Sequence, residues 1–349
     1  MIKPILLIVD DVVSNIDALR TILADDYKLK VATSGEIALK AAVTEPQPDL
    51  ILLDIIMPEM DGYETCRRLK KDIRTRDIPV VFVTAKSEGI DEIKGFEAGA
   101  VDYVTKPPMP LVLKSRIRSH LALYNQTKEM FRQVQEQTKE LRETRTIMVQ
   151  QLGRAAEFKD NETGFHVIRM SRSAHAIALA YGLSEAQAEL MQDAAAMHDI
   201  GKLGIPDHIL KKPGKLDSEE WKIMKFHTLI GERILGDSQH SSLIQEAGII
   251  ARTHHERWDG TGYPDGLAGE DIPLTSRICA IADVFDALTS ERPYKKPWPV
   301  EDALEYIQNE SGKHFDPKVV EAFMQALPTI LEIGAAFSET PEQLQAHTV

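Results

Sequence analysis

The chain has 349 residues, 43% of them hydrophobic and 27% charged, a globular composition with enough apolar residues for two domain cores. Its net charge of −13 works against binding nucleic acid or anionic membranes, except at a local site built from metal ions, lysine or arginine. Cys66 and Cys279 are too far apart in sequence to read as a disulfide framework or a cysteine zinc module, and no apolar run approaches the ~18 residues of a membrane span, so a cytoplasmic protein is expected.

Residues 1–118 alternate short apolar runs with helical patterns. Ile5–Val9, Leu29–Val31, Leu50–Leu53, Val80–Val83 and Tyr103–Val104 read as strands. Nearly continuous apolar character is what parallel strands covered on both faces require. Helical stretches are expected near 15–24, 35–44, 61–71, 88–98 and 110–123. The alternation predicts an α/β doubly wound domain of five parallel strands, with its site at the carboxyl ends of the strands.

From 119 to 155 glycine and proline are absent until Gly153, and Lys, Arg, Glu and Gln dominate. Seam positions recur at Ile117, Leu121, Tyr124, Lys128 and Phe131, then at Val134, Thr138, Leu141, Arg145, Met148 and Leu152, with an extra step of three between the runs. That pattern predicts a helical linker forming a parallel coiled coil between two protomers, since a lone helix of this length would be marginal. Residues 156–330 show helical periodicity and predict an all-α domain. The tail, 331–349, is weakly patterned and is expected to fray from Leu327 onward.

Three acidic residues fall at strand ends in the first domain: Asp10 and Asp11 after the first strand, Asp54 after the third. If those strands are neighbours the carboxylates converge, and hard oxygens that repel one another suit Mg²⁺. Thr84 ends the fourth strand and Lys106 follows the fifth, where they would offer a hydroxyl and an ammonium to a phosphoryl group. Lys106 precedes Pro107, where a cis bond is possible. DD at 10–11, LDIIMPEMDG at 53–62, VTA at 83–85 and DYVTKP at 102–107 resemble the receiver domain of response regulators. The resemblance implies that Asp54 accepts a phosphoryl group from a sensor histidine kinase and that Asp10, Asp11 and Asp54 hold Mg²⁺. Thr84 and Lys106 would contact the phosphoryl oxygens, and Tyr103 would be the aromatic switch. Pro108 departs from the family pattern and leaves the start of the next helix open.

The second domain holds most of the histidines: eight of the eleven lie between His166 and His255. Glu162 and His166 are four apart, His198–Asp199 and His254–His255 are adjacent, and His227 and Asp283 stand singly. Imidazole with carboxylate and no thiolate suits Fe, Mn, Ni, Co or Zn, and an adjacent His–Asp can serve two ions at once. ETGFH at 162–166, HDIGKLGIPD at 198–207, HTLIG at 227–231, HHERWDGTGYP at 254–264 and ADVFDALTSERPYKK at 282–296 resemble the HD-GYP phosphohydrolases. By that resemblance His198, Asp199, His227, His254, His255 and Asp283 are metal ligands, with Asp199 bridging. Glu162 and His166 would complete a third site, so two or three divalent transition metals are expected, Fe or Mn first.

Lys202, one turn after His198, would neutralise phosphate charge, while Arg292 and Lys295 resemble the clamp on the substrate's phosphates. Tyr263 would contact substrate or pack beside the metal pocket. His175, His208, His240 and His314 match no ligand position and read as structural. The pairing of the two domains resembles response regulators of the RpfG type. It implies a phosphodiesterase that converts cyclic di-GMP to linear pGpG, GMP or both, with diguanylate cyclase (GGDEF) proteins as candidate partners, and the coiled-coil linker adds the expectation of a homodimer. The competing readings are a non-enzymatic scaffold and an HD hydrolase of another nucleotide. A DNA-binding regulator is disfavoured by the charge and by the lack of a recognition module.

Overall fold

The computed structural model describes residues 3–84, 89–160, 165–236, 241–290 and 296–338. Its contacts divide the chain into two units, Met1–Lys139 and Glu140–Val349.

In the first unit β1 (Ile5–Val9), β2 (Lys28–Ala32), β3 (Leu50–Asp54), β4 (Val80–Thr84) and β5 (Asp102–Thr105) alternate with α1 (Val13–Leu23), α2 (Gly35–Val43), α3 (Gly62–Lys71), α4 (Gly89–Glu97) and α5 (Pro110–Lys159). The sheet is parallel, in the order β2-β1-β3-β4-β5. The two-residue period of the strands sends alternate side chains to two separate cores. Leu7, Val9, Ile51, Leu53, Val80 and Phe82 pack with Ala38, Cys66 and Leu69 on one face. Leu6, Ile8, Leu50, Leu52, Val81 and Val83 pack with Ile16, Leu19, Leu113, Ile117 and Leu121 on the other. β1 and β3 pair with Val9 opposite Leu53, so Asp10 and Asp54 emerge side by side at the same sheet end.

The expected helix over 110–123 and the linker over 119–155 are one continuous helix, α5. Ile117 and Leu121, expected on a seam, are buried against the sheet instead, where each contributes about 1.5–3 kcal/mol. Arg145 is not a seam residue either: its Nε donates to Asp193 at 2.8 Å, and Thr146 Oγ1 donates to the same carboxylate at 2.8 Å. Val149 is buried in the second unit's core. Phe131, Val134, Leu141, Met148 and Leu152 are exposed.

The second unit continues with α6 (Phe165–Tyr181), α7 (Glu185–Ala195), a 3-10 turn (Ile200–Gly204), α8 (Asp207–Leu210), α9 (Ser218–Lys225), α10 (His227–Leu235), α11 (Ser242–Thr253), a second 3-10 turn (Gly269–Asp271), α12 (Leu274–Thr289), α13 (Val300–Asn309) and α14 (Pro317–Ala336). Met170, Ala174, Ile177, Ile250, Ile278, Ile281, Phe285 and Phe323 form its core. α14 corrects the expectation of fraying from Leu327: it runs to Ala336, with Ile330 buried. Among the described residues it is also the one helix with the length and apolarity of a membrane span. Its Val319, Ala322, Phe323, Ala326 and Ile330 are inside the protein, and it reads as a core helix.

Candidate metal centre and acidic pocket

Asp10, Asp11 and Asp54 each place a carboxylate oxygen within 4.8 Å of the others at the end of the parallel sheet. Asp10 is fixed by the Val12 N–H (2.9 Å) and by Asn15 Nδ2 (3.0 Å), a residue the sequence reading passed over. Lys106 Nζ stands 2.6 Å from Asp10 Oδ2 and 2.9 Å from Asp54 Oδ2. Burial raises the Asp54 pKa, with Asp10 adding to the rise and Lys106 opposing it. Thr84 is buried at the end of β4, and the Lys106–Pro107 bond is cis. Tyr103 is half-buried with its ring edge-on to Phe96, centroids 6.4 Å apart. Gly62 is required: a Cβ there would lie 2.2 Å from the Asp54 carbonyl oxygen.

In the second unit six of the histidine and aspartate positions singled out from sequence, with His166, meet in two adjoining groups. Asp199, His227, His254 and His255 form one; His166, His198 and Asp283 form the other. Within each group the ligand atoms lie within 4.8 Å of one another. Asp199 faces both. Its Oδ2 is 3.3 Å from His198 Nε2, while its Oδ1 is 3.4 Å from His227 Nε2 and 3.6 Å from His254 Nε2. The turn after Asp199 touches the start of α10 backbone to backbone, since a Cβ on Gly201 would lie 1.8 Å from the His227 carbonyl oxygen.

The imidazoles are oriented from behind. Nδ1 of His198 is 3.0 Å from the Ala195 carbonyl, Nδ1 of His227 is 2.8 Å from the Met224 carbonyl and Nδ1 of His254 is 2.9 Å from the Ile250 carbonyl. A carbonyl only accepts, so each Nδ1 carries the proton and each Nε2 turns inward as a ligand atom. Those three Nε2 atoms and Asp199 Oδ1 are buried without a hydrogen-bond partner among the described residues. Buried polar atoms left in this way fit divalent cations, and the donor set of imidazole and carboxylate suits Fe, Mn or Zn.

Charge follows the same division. Burial opposes charging His166, yet Glu157, Asp283 and Asp286 raise its pKa well above the ordinary value. Burial likewise opposes charging His198, and Asp199 raises it. His227 is lowered to about 4 by burial, and His255 well below its ordinary value by burial and by His254. Against burial, Lys202 and His198 hold Asp199 well below the usual carboxylate range. Lys202 Nζ is 2.9 Å from Asp199 Oδ2 and 2.7 Å from Asp160 Oδ2.

Tyr263 lies over His255 with ring centroids 4.8 Å apart, and Lys225 Nζ is 4.8 Å from the centre of the Tyr263 ring. The loop carrying Tyr263 is tied down by buried Glu256, which accepts from the N–H groups of Asp265, Gly266 and Leu267. Glu162, Arg292, Lys295 and His240 lie outside the described residues. His175 faces Glu185 at 3.2 Å, His208 is exposed and His314 stacks on Phe315.

Sequence reasoning missed Glu157, Asp160, Arg169, Lys225, Glu256 and Asp286. Asp286 carried a signal, since it stands three residues after Asp283 and shares its helix face.

Residues 122–319 match the HD domain family, and residues 6–118 match the response regulator receiver domain. A Vibrio cholerae serotype O1 protein named a probable cyclic di-GMP phosphodiesterase is 41% identical, across 96% of this chain and 80% of that protein. The cyclic di-GMP phosphodiesterase response regulator RpfG of Xanthomonas campestris pv. campestris is 39% identical, across 95% and 90%. The 3'3'-cGAMP-specific phosphodiesterase 2 of Vibrio cholerae is 46% identical across 57% of this chain and 38% of that protein.

Proposed function

Since the chain belongs to the HD-domain family, with a response regulator receiver domain ahead of its HD domain, we propose that it is a metal-dependent phosphodiesterase that hydrolyses cyclic di-GMP under control of phosphorylation. One observation carries the reading: Asp199 directs one oxygen to His198 and the other to His227 and His254, between two buried ligand groups. A carboxylate so placed would bridge two ions. His227, His254, His255 and Asp199 would hold one ion, and His198, Asp283 and Asp199 the next. His166, with Glu162, would hold a third. Fe or Mn fits this donor set best, with Ni, Co or Zn as alternatives. Bound there, such ions supply an activated water and balance the charge of an attacked phosphodiester.

The protein's own residues do the rest. Lys202 brings an ammonium against Asp199 at the pocket, where it would offset negative charge on the phosphate, and Asp160 holds it there. Tyr263 walls the His255 side, and Arg292 and Lys295 would clamp the phosphates. The product is linear pGpG or GMP. In the first unit Asp54 accepts a phosphoryl group from a histidine kinase, with Mg²⁺ on Asp10, Asp11 and Asp54. Thr84 and Lys106 would read the phosphoryl oxygens, and Tyr103 would turn on phosphorylation. The exposed apolar residues of α5 support a homodimer, and both cysteines are buried and free, in keeping with a cytoplasmic setting. GGDEF proteins are candidate partners.

A second reading, a substrate with one adenine in place of guanine, is favoured by the similarity to the 3'3'-cGAMP phosphodiesterase. Cyclic di-GMP and 3'3'-cGAMP should be offered to protein purified without oxygen, with metal content measured on the same sample and His198→Ala and Asp199→Ala alongside. Turnover of cyclic di-GMP that disappears in both variants is expected. Absence of turnover with Mn²⁺ or Fe²⁺ bound to the phosphorylated protein would overturn the reading, and a preference for 3'3'-cGAMP would replace the substrate.

A further inference from the structure

Glu157 lies near the end of α5 and is buried, with 1% of its surface exposed. Its Oε1 is 3.6 Å from His166 Nε2, and the same Nε2 is 3.3 Å from Asp283 Oδ1. The other ring nitrogen is engaged elsewhere: Nδ1 is 2.8 Å from Asp286 Oδ2, and Arg169 holds Asp286 through two N–H groups at 2.7 and 2.9 Å. His166 therefore presents Nε2, and only Nε2, to the space between Glu157 and Asp283. We propose that Glu157 is a ligand of the ion held by His166 and Asp283, a carboxylate of the centre in addition to Asp199, Asp283 and Glu162.

The spacings favour coordination over direct pairing. A separation of 3.6 Å is too long for a hydrogen bond. Ligands held at about 2.0–2.2 Å from one ion in tetrahedral or octahedral geometry lie roughly 3.0–3.6 Å apart. Glu157 and Asp283 both face the same imidazole nitrogen, and a divalent cation at that point would meet both carboxylates. Buried His198 Nε2, 4.0 Å from Asp283 Oδ1, borders the same space and makes no hydrogen bond. Carboxylate oxygens with imidazole nitrogen suit Mn²⁺ or Fe²⁺.

The assignment has a structural consequence. An ion shared by Glu157, His166 and Asp283 joins the last turns of α5 to α6 and α12. A metal ligand then sits on α5, the helix whose first residues lie in the first unit.

The inference rests on reading this pocket as a metal centre, and the test separates the two. Full-length wild type, Glu157→Gln, Glu157→Asp, Glu162→Gln and His227→Ala are loaded with Mn²⁺ without oxygen and desalted. Bound Mn per chain, Mn²⁺ affinity by chelator competition, and circular dichroism are then measured. Glu157→Gln should lose one Mn per chain with the rest retained and its helix content unchanged. Glu157→Asp, which keeps the charge and stays informative if the Gln variant misfolds, should bind that ion about tenfold more weakly. Wild-type stoichiometry and affinity in both Glu157 variants would overturn the proposal, as would loss of the ion in Glu162→Gln alone. Failure of the metal reading itself would show separately, as a wild type that holds no Mn, or a His227→Ala protein that holds as much as wild type.

Discussion

Asp286 Oδ2 lies 2.8 Å from His166 Nδ1, and the Arg169 guanidinium donates to both oxygens of the same carboxylate. The carboxylate pins the imidazole in the tautomer and rotation that aim Nε2 at Asp283. Asp286→Asn keeps the shape but puts an amide where the acceptor stood. It should weaken binding of the ion at His166 by about 10–100-fold while leaving the Asp199, His227, His254 group loaded. Metal analysis after dialysis against graded chelator checks this; equal retention of every ion would show that Asp286 merely packs.

Lys202 makes a different kind of prediction, because it touches Asp199 without being a ligand. Lys202→Ala should lower kcat for cyclic di-GMP by about 10²–10³-fold. Metal content should stay at the wild-type level, so kinetics and metal analysis on one sample are decisive. Parallel loss of metal and activity would make Lys202 a support of Asp199 and not a partner of the phosphate.

Loading should also release protons. Nearby carboxylates raise the pKa of His166 well above its ordinary value, so its ring holds a proton more firmly than a free imidazole, whereas His227 is lowered to about 4. A cation must displace the proton on His166. Apparent Mn²⁺ affinity should therefore rise with pH through neutrality. Calorimetric enthalpies measured near neutral pH should depend on the ionisation heat of the buffer, and a buffer-independent enthalpy would contradict this charge assignment.

The sheet and the first ligand group were legible from sequence for physical reasons. Strands covered on both faces are nearly uninterrupted apolar runs, as at Leu50–Leu53, and candidate ligands that the fold brings to neighbouring groups appear as adjacent letters, as at His198–Asp199. Glu157 and Asp286 were not legible. Each is a single carboxylate in a chain that is 27% charged, and only the packing of α5, α6 and α12 reveals that both are buried against one imidazole. The path of α5 was half legible. Its polar composition predicts a helix, but nothing in Arg145 or Thr146 signals that both would reach across to Asp193. At the other end the weak patterning after Leu327 suggested fraying, although α14 runs on to Ala336 with Ile330 buried.

The exposed apolar residues of α5 supply a test of association. Phe131, Val134, Leu141, Met148 and Leu152 are all more than half exposed, at 64%, 54%, 71%, 63% and 54%, on a helix too long to leave such residues to water. A Phe131→Glu, Leu141→Glu double variant should elute and scatter light as a monomer under conditions where wild type is a dimer. Phosphorylation at Asp54 should then no longer alter its turnover. A wild-type protein that is monomeric with and without phosphorylation would remove the coiled coil from the mechanism.

The end of α14 is joined to the metal centre through Arg169. Its Nη1 donates to the Phe337 carbonyl at 3.0 Å while Nε and Nη2 hold Asp286, and the Arg172 guanidinium lies 4.3 Å over the Phe337 ring. The residues just past the last helix thus brace the guanidinium that braces the carboxylate that orients His166. Phe337→Ala removes the cation–π contact, about 0.5–2 kcal/mol, and frees the backbone that holds Nη1. Mn²⁺ affinity at His166 should fall severalfold, and a chain ending after Gly334, which lacks the carbonyl as well, should lose more. Chelator competition on the two proteins, with thermal unfolding alongside, distinguishes the cases. Lower melting temperature with unchanged affinity would confine Phe337 to packing, whereas graded loss of affinity would make the C-terminal segment part of what holds the metal centre in place.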